Sequence, residues 1–216
     1  ISFRNGIFDL KEDKLLPFDP EIRIPCKILW DYNPNAYDET CDNFLNRITC
    51  NDPEIRKTVE ESIGYSFFRS CDLNSAFFLL GKGKNGKTTF LKELIALLGE
   101  QNVSTMDLGK LSDNRFATAI LFGKLANIGD DISDKAISDS SLFKKVTSGS
   151  RIDAERKGEN QFEFNPTASL FFSVNSMPKI HDPQGAALSR IVPIPCEARF
   201  TEESPVYDPF IVKKLV

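Results

Sequence analysis

The stretch that most limits the possible folds is GKGKNGKT at residues 81–88. It matches the pattern G-x-x-x-x-G-K-[ST], with the apolar run AFFLL before it and the helical pattern FLKELIALLG after it. Glycines in such a loop let successive backbone N–H groups point inward at a phosphate, and the following helix N-terminus adds positive potential. A glycine- and lysine-rich turn that binds nothing is the alternative, but the flanking strand and helix favour a phosphate-binding loop.

The residue types in this loop match the groups that hold a nucleotide. We expect Lys87 to reach the β- and γ-phosphates and the hydroxyl of Thr88 to hold Mg²⁺. Asn85 belongs to a residue type that tolerates unusual backbone angles. The predicted nucleotide-binding residues are Gly81, Gly83, Lys84, Asn85, Gly86, Lys87, Thr88 and Thr89.

Strand and helix patterns alternate from residue 76 onward. The predicted strands are AFFLL, LFGKLANIGD, TASLFFSVN and ALSRIVPIPC, and the predicted helices are KTTFLKELIALLG and SDSSLFKKVTSGS, which breaks at Gly149. The segment RIDAERKGENQFEFN predicts two further strands around a charged turn. Such alternation predicts an α/β fold with a mostly parallel central sheet flanked by helices, as in P-loop NTPases.

The first third of the chain has a different pattern. An Asn-Gly pair at residues 5–6 favours a hairpin or short strands, and helical spacing begins near residue 38. We predict a small, mainly helical lead-in over residues 1–72 and a nucleotide-binding domain over residues 73–216. The sequence begins without Met, and IVKKLV at its end resembles the start of another element. We therefore expect a piece of a longer protein.

Composition limits the class of protein. The chain has 216 residues, 41% of them hydrophobic, and a net charge of −4, so nucleic-acid binding must come from a local basic feature. No apolar run approaches the roughly 20 residues of a membrane helix, and we expect no membrane association. Five cysteines without a CxxC pair favour reduced thiols in a cytosol-like compartment. The only histidine, His181, has no metal-ligand neighbours at useful spacing and is interpreted as a loop residue.

Two predicted strands end in polar residues that suit nucleotide hydrolysis. Asp130 and Asp131 follow LANIG, and ligands bind at the carboxyl edge of a parallel sheet. We expect Asp130 to bind Mg²⁺ through water and Asp131 to activate the attacking water. Asn175 ends SLFFSVN, where its amide can hydrogen-bond that water or the γ-phosphate. A solvated Asp-Asp turn, and an Asn that only opens a turn, are equally consistent with these residues taken singly.

Arg190 lies just ahead of an apolar strand in ALSRIVPIP. An arginine offered to the nucleotide of a neighbouring subunit stabilises transition-state charge, with effects on the order of 10³–10⁵ in rate. A lone arginine is more often a surface residue, and the order of the features along the chain favours the catalytic interpretation.

That order resembles the motif series of superfamily 3 helicases. It is most similar to the helicase half of phage and plasmid primase-helicases, relatives of the poxvirus primase-helicase. The phosphate loop of that family often reads GxGxNGK[ST], and its later block often reads KxxTGGDxxxAERK, which KKVTSGSRIDAERK at residues 144–157 resembles. NGIFDL near the start and ESIGYSF before the first strand also resemble the family, so the likeness covers nearly the whole chain.

The resemblance implies an AAA+-like motor: an ATP-dependent, Mg²⁺-dependent homo-hexameric ring that translocates on single-stranded DNA during replication. Lys144 and Lys145 fall in the block that couples nucleotide and DNA in that family, and Lys157 matches a channel-facing basic residue on a hairpin. A salt bridge or solvated turn is the alternative for Lys157. The resemblance also implies a primase domain elsewhere in the full-length chain and a phage or plasmid protein in the cytoplasm of a bacterial host.

This chain departs from the family pattern at two positions. The family often has two basic residues at the arginine position, whereas Ser189 precedes Arg190 here. Many relatives have Glu as the second acid, and Asp131 is one methylene shorter. Priming activity is not assigned to these residues.

Two other functions remain alternatives. A P-loop kinase for small molecules would need an acceptor pocket with a lid of arginines, and we see no such cluster. A non-hydrolysing DNA-binding assembly module would not need Lys87, Thr88, Asp130 and Asp131, all of which are present.

Overall fold

The structure is a computed structural model that describes residues 1–107, 109, 115–132 and 140–215, with side chains for all of these except 115, 116, 131 and 132. Three short strands open the chain, β1 (Ser2–Phe3), β2 (Gly6–Asp9) and β3 (Lys14–Leu16), and they form an antiparallel sheet. The predicted hairpin forms, but Arg4 and Asn5 are its two turn residues, and Gly6 is the first residue of β2 and pairs with Phe3.

Two helices follow in the lead-in, α1 (Glu39–Ile48) and α2 (Pro53–Phe67). Each begins at an aspartate whose carboxylate accepts backbone N–H groups of the first turn, Asp38 for α1 and Asp52 for α2. Pro53 occupies the first turn of α2, where its missing N–H costs nothing. The segment therefore contains the predicted helices together with a small sheet.

The central sheet has five parallel strands. They are β4 (Ala76–Leu80), β5 (Val103–Ser104), β6 (Ala126–Ile132), β9 (Ser169–Val174) and β10 (Ile191–Pro195), in the spatial order β10-β4-β9-β6-β5. The sequence indicated four of them and missed β5, which has only two residues. All six residues of β9 are buried, as expected for a strand covered on both faces.

Alternate residues of β4 belong to opposite layers of the core. Phe77 and Leu79 pack in a cluster that also contains residues of the lead-in and of α3 (Lys87–Leu98). Ala76 and Phe78 pack in a second cluster that contains residues of a hairpin and of α5 (Ser141–Thr147). The lead-in thus shares a hydrophobic core with one face of the sheet, and the domain boundary at residue 72 stays a prediction.

The remaining elements surround this core. Helix α4 (Arg115–Thr118) precedes β6, and strands β7 (Ile152–Ala154) and β8 (Phe162–Phe164) form the predicted hairpin with its charged turn. Helix α6 (Ile211–Leu215) ends the described chain and packs against α3 and α1. A parallel sheet flanked by helices confirms the predicted α/β fold, AAA+-like and of the P-loop NTPase type.

Candidate functional site

The phosphate loop lies between β4 and α3, as predicted. Gly83, Lys84 and Gly86 have φ angles of 52°, 54° and 86°, and Gly86 is the residue that precedes the first turn of α3. The left-handed backbone angle beside Gly83 falls on Lys84 and not on Asn85, although Asn tolerates such angles. These angles curl the loop at the helix N-terminus, where backbone N–H groups attract a phosphate.

Asn85 instead acts through its side chain. It is 4% exposed, and its Nδ2 donates to the carbonyl oxygen of Cys196 at 2.8 Å, which ties the loop to the end of β10. A Cβ atom on Gly81 would lie 2.1 Å from Asn85 Nδ2 and 2.3 Å from the Cys196 oxygen. Gly81 is therefore required by close packing.

Lys87 lies within the loop and is 6% exposed. Its Nζ donates to the carbonyl of Gly81 and, at 2.9 Å, to Oδ1 of Asn85. Burial raises the pKa of the nearby Cys196 thiol to about 11, although the Lys87 charge lowers it, so this thiol is neutral near pH 7. A buried ammonium ion in a curled loop is a suitable partner for phosphate oxygens.

Thr88 and Asp130 meet at the carboxyl edge of the sheet. The Thr88 hydroxyl lies 3.4 Å from Oδ1 of Asp130, and both residues are exposed. The register of β6 against β9 shifts between Gly129 and Ile132, so the acidic pair lies at an irregularity of the strand. A hydroxyl and a carboxylate are ligands of the kind that Mg²⁺ prefers, so the pair fits that ion. The side chain of Asp131 lies outside the described residues, and its role stays a prediction.

Asn175 lies at the same edge. It follows β9 directly and is exposed, and the pairing of Leu80 with Val174 aligns it with the start of the phosphate loop. Gly81 N–H donates to the Val174 carbonyl at 3.1 Å, which holds these two chain segments together.

Arg190 lies at the opposite edge of the sheet. It ends the 3₁₀ turn Leu188–Arg190 immediately before β10, whose first residue pairs with the first residue of β4. The five residues of β10 span about 16 Å at about 3.3 Å each. The Nη1 atom of Arg190 donates to the carbonyl of Ala186. The Nε atom of Arg190 is buried and has no hydrogen-bond partner among the residues that the structure describes. The structure does not bring Arg190 to the phosphate loop of its own chain.

The predicted DNA-binding lysines lie on two elements. Lys144 and Lys145 are in α5, the first half-buried and the second exposed, and Lys157 is exposed in the turn of the β7–β8 hairpin. Beside it, the Arg156 guanidinium lies 3.4 Å from Glu159 and 5.3 Å from the ring centre of Phe162.

Sequence reasoning also missed a cavity of about 610 Å³ beside the phosphate loop. Helix α1 provides one wall, the loop provides Lys84 and Gly86, and residues 200–212 provide the third wall. The Phe200 N–H donates to the Lys84 carbonyl at 2.7 Å, which fixes this last segment across the loop. The walls come from distant parts of the chain, so no local pattern indicates the cavity.

Comparison with protein families identifies the family of this chain. Residues 79–190, more than half of the chain, match the model described as a family of unknown function (DUF5906), and the chain belongs to that family. Residues 1–50 match the model described as D5 N terminal like, over the segment that contains NGIFDL. No curated protein matches the sequence.

Solved structures share the fold. Two apo structures of the NrS-1 C terminal region have TM-scores of 0.67 and 0.65 at 16% identity, and each alignment covers 83% of this chain. This chain spans 43% of the length of each of those chains. A JCV helicase structure aligns over 84% of this chain and 49% of its own length at 15% identity, with a TM-score of 0.49. Among the described helices, none is long and apolar enough to cross a membrane.

Proposed function

We propose that this chain is the motor of an ATP-dependent DNA helicase of the primase-helicase type. It hydrolyses ATP at the subunit interfaces of a hexameric ring and translocates on single-stranded DNA during replication. The observation that best supports this function is the meeting of Lys87, Thr88 and Asp130 at one edge of a parallel sheet. That arrangement suits binding and hydrolysis of a nucleoside triphosphate.

Each residue of this edge has a part in the proposed reaction. The curled loop binds the phosphates through backbone N–H groups, and Lys87 exchanges the Asn85 amide oxygen for phosphate oxygens. Thr88 and Asp130 would hold Mg²⁺, which neutralises charge on the β- and γ-phosphate oxygens. Asn175 orients the attacking water, and Asp131 accepts its proton.

The position of Arg190 supports a site shared between subunits. A side chain that begins about 16 Å along β10 from the loop does not reach the γ-phosphate of its own chain. In a ring, the amino edge of one sheet can face the nucleotide of the next subunit, so Arg190 would stabilise charge there.

The cavity beside the loop supports a nucleoside as part of the ligand. Its volume of about 610 Å³ lies within the range of small-molecule sites, and Phe200 and Tyr207 line it beside polar groups of α1. The choice of ATP over GTP rests on the resemblance to helicases.

Contact with DNA is assigned to the hairpin and to α5. Six copies of Lys157 would make a basic ring in a central channel, which reconciles DNA binding with a net charge of −4. Lys144 and Lys145 lie on the helix that precedes this hairpin along the chain and would relay the state of the nucleotide.

The test is ATP hydrolysis over a range of protein concentrations, with and without single-stranded DNA. We expect specific activity to rise with concentration and to rise again with DNA, because the site is shared and coupled. Activity that is flat in both, with phosphorylation of a small molecule, would favour a kinase. Binding of ATP without hydrolysis, in a chain that sedimentation shows to be assembled, would favour the assembly module.

A further inference from the structure

The turn that carries Arg190 is organised around one carboxylate. Asp182 Oδ2 accepts the backbone N–H of Ala187 at 2.6 Å and that of Leu188 at 3.1 Å. Its backbone carbonyl accepts the N–H of Gly185 at 3.0 Å. Asp182 therefore holds both ends of the segment from residue 185 to the start of the 3₁₀ turn.

The same segment also orients the side chain of Arg190. Arg190 N–H donates to the Ala187 carbonyl at 3.2 Å, and its Nη1 donates to the carbonyl of Ala186. Ala187 is fully buried, so the turn is anchored in the core at the residue that Asp182 binds. A displaced Ala187 would move the backbone and the side-chain acceptor of Arg190 together.

The charge around Asp182 favours its ionised form. Burial raises the pKa of this carboxyl group, but the backbone N–H groups of Leu188 and Ala187 and the charge of Lys144 outweigh it and place the pKa below the usual value. The carboxylate is therefore available as an acceptor at neutral pH. Lys144 also brings the proposed relay helix α5 close to this turn.

We infer that Asp182 is a positioning residue for Arg190: its carboxylate fixes the turn so that the guanidinium meets the nucleotide of the neighbouring subunit. This inference rests on the proposed function. Misplacement of a catalytic group by about 1 Å can cost on the order of a hundredfold in rate. We expect Asp182→Ala to lower kcat by about ten- to a hundredfold, with little change in the KM for ATP.

Mixing inactive variants distinguishes positioning from a general structural role. Asp182→Ala retains its own Lys87, so mixing it with Lys87→Ala, which retains Asp182 and Arg190, should restore activity. Mixing Asp182→Ala with Arg190→Ala should restore none, because neither variant offers a correctly placed arginine. Asp182→Asn keeps an oxygen acceptor and should stay within about threefold of wild type.

Asp9→Ala is the matched control, since Asp9 Oδ1 accepts two backbone N–H groups in the lead-in, from Lys11 at 2.9 Å and Glu12 at 3.3 Å. It should leave kcat unchanged. Should Asp182→Ala not fold, Asp182→Ser tests the same contact, since its hydroxyl is too short to reach both N–H groups.

The outcomes separate this inference from the proposed function. Two results would overturn the positioning role alone. One is a wild-type kcat in Asp182→Ala. The other is that Lys87→Ala restores activity to Arg190→Ala but not to Asp182→Ala. A wild-type chain that neither binds nor hydrolyses ATP would overturn the proposed function and this inference with it.

Discussion

The two edges of the central sheet differ in how far one chain completes them. At the carboxyl edge, Lys87 bonds to Asn85 and Asn85 bonds to Cys196, so the polar groups of the loop satisfy one another. At the amino edge, Nε of Arg190 is buried without a hydrogen-bond partner among the described residues. Such a donor costs about 1–3 kcal/mol. In the proposed ring, the amino edge of a second chain completes the nucleotide site at the carboxyl edge of the first.

The largest expected effect is at the carboxyl edge. Lys87→Ala should abolish ATP hydrolysis and weaken ATP binding, because the loop loses the buried charge that faces the phosphates. The measurement is steady-state hydrolysis together with binding of a fluorescent ATP analogue. Lys92→Ala, an exposed lysine on the same helix, is the control and should keep full activity. A Lys87→Ala chain that turns over at the wild-type rate would remove the phosphate loop from the mechanism.

Arg190→Ala tests the amino edge. We expect a loss on the order of 10³–10⁵ in kcat with ATP binding preserved, because the residue lies far from its own loop. Arg23→Ala, an exposed arginine of the lead-in, is the control. Mixing Arg190→Ala with Lys87→Ala should restore part of the activity, since an intact lysine and an intact arginine can meet across an interface. No recovery at any ratio would show that the two edges do not share a site.

Gly81→Ala sharpens the comparison with a smaller effect. Its new Cβ would collide with Asn85 Nδ2 and with the backbone oxygen of Cys196, and backbone gives way less easily than a flexible side chain. We expect a loss of about 1–3 kcal/mol in unfolding free energy, measured by urea denaturation. Gly64→Ala is the matched control, because Gly64 lies in the last turn of α2 and nothing lies within 4 Å of a Cβ built on it. This variant should stabilise by up to about 1 kcal/mol. Equal stability of the two variants would contradict the close packing of Gly81 against Asn85 and the end of β10.

Local patterns explain most of what the sequence predicts correctly. The phosphate loop and the strands β4 and β9 follow from glycine spacing and buried apolar runs within a few residues.

The missed features depend on long-range contacts. The partner of Asn85 is 111 residues away, and the walls of the cavity come from α1 and residues 200–212. Strand β5 was not predicted, because a strand of two residues is too short to show a periodic pattern. Sequence order predicted an arginine before β10, but only the parallel pairing with β4 places it at the amino edge.

The smallest expected effect lies outside both edges, on the β7–β8 hairpin. Lys157→Ala should weaken binding of single-stranded DNA and flatten its dependence on salt, with a slope smaller by about one for each phosphate no longer neutralised. Fluorescence anisotropy over a salt series measures both quantities. Lys57→Ala, an exposed lysine on α2 that lies 3.9 Å from Glu61, controls for the loss of one positive charge. ATP binding should survive, because Lys157 is in the hairpin turn and makes no part of the loop. Unchanged DNA affinity and an unchanged salt slope would show that Lys157 does not contact DNA. The β7–β8 hairpin would then have no assigned part in coupling DNA to the nucleotide site.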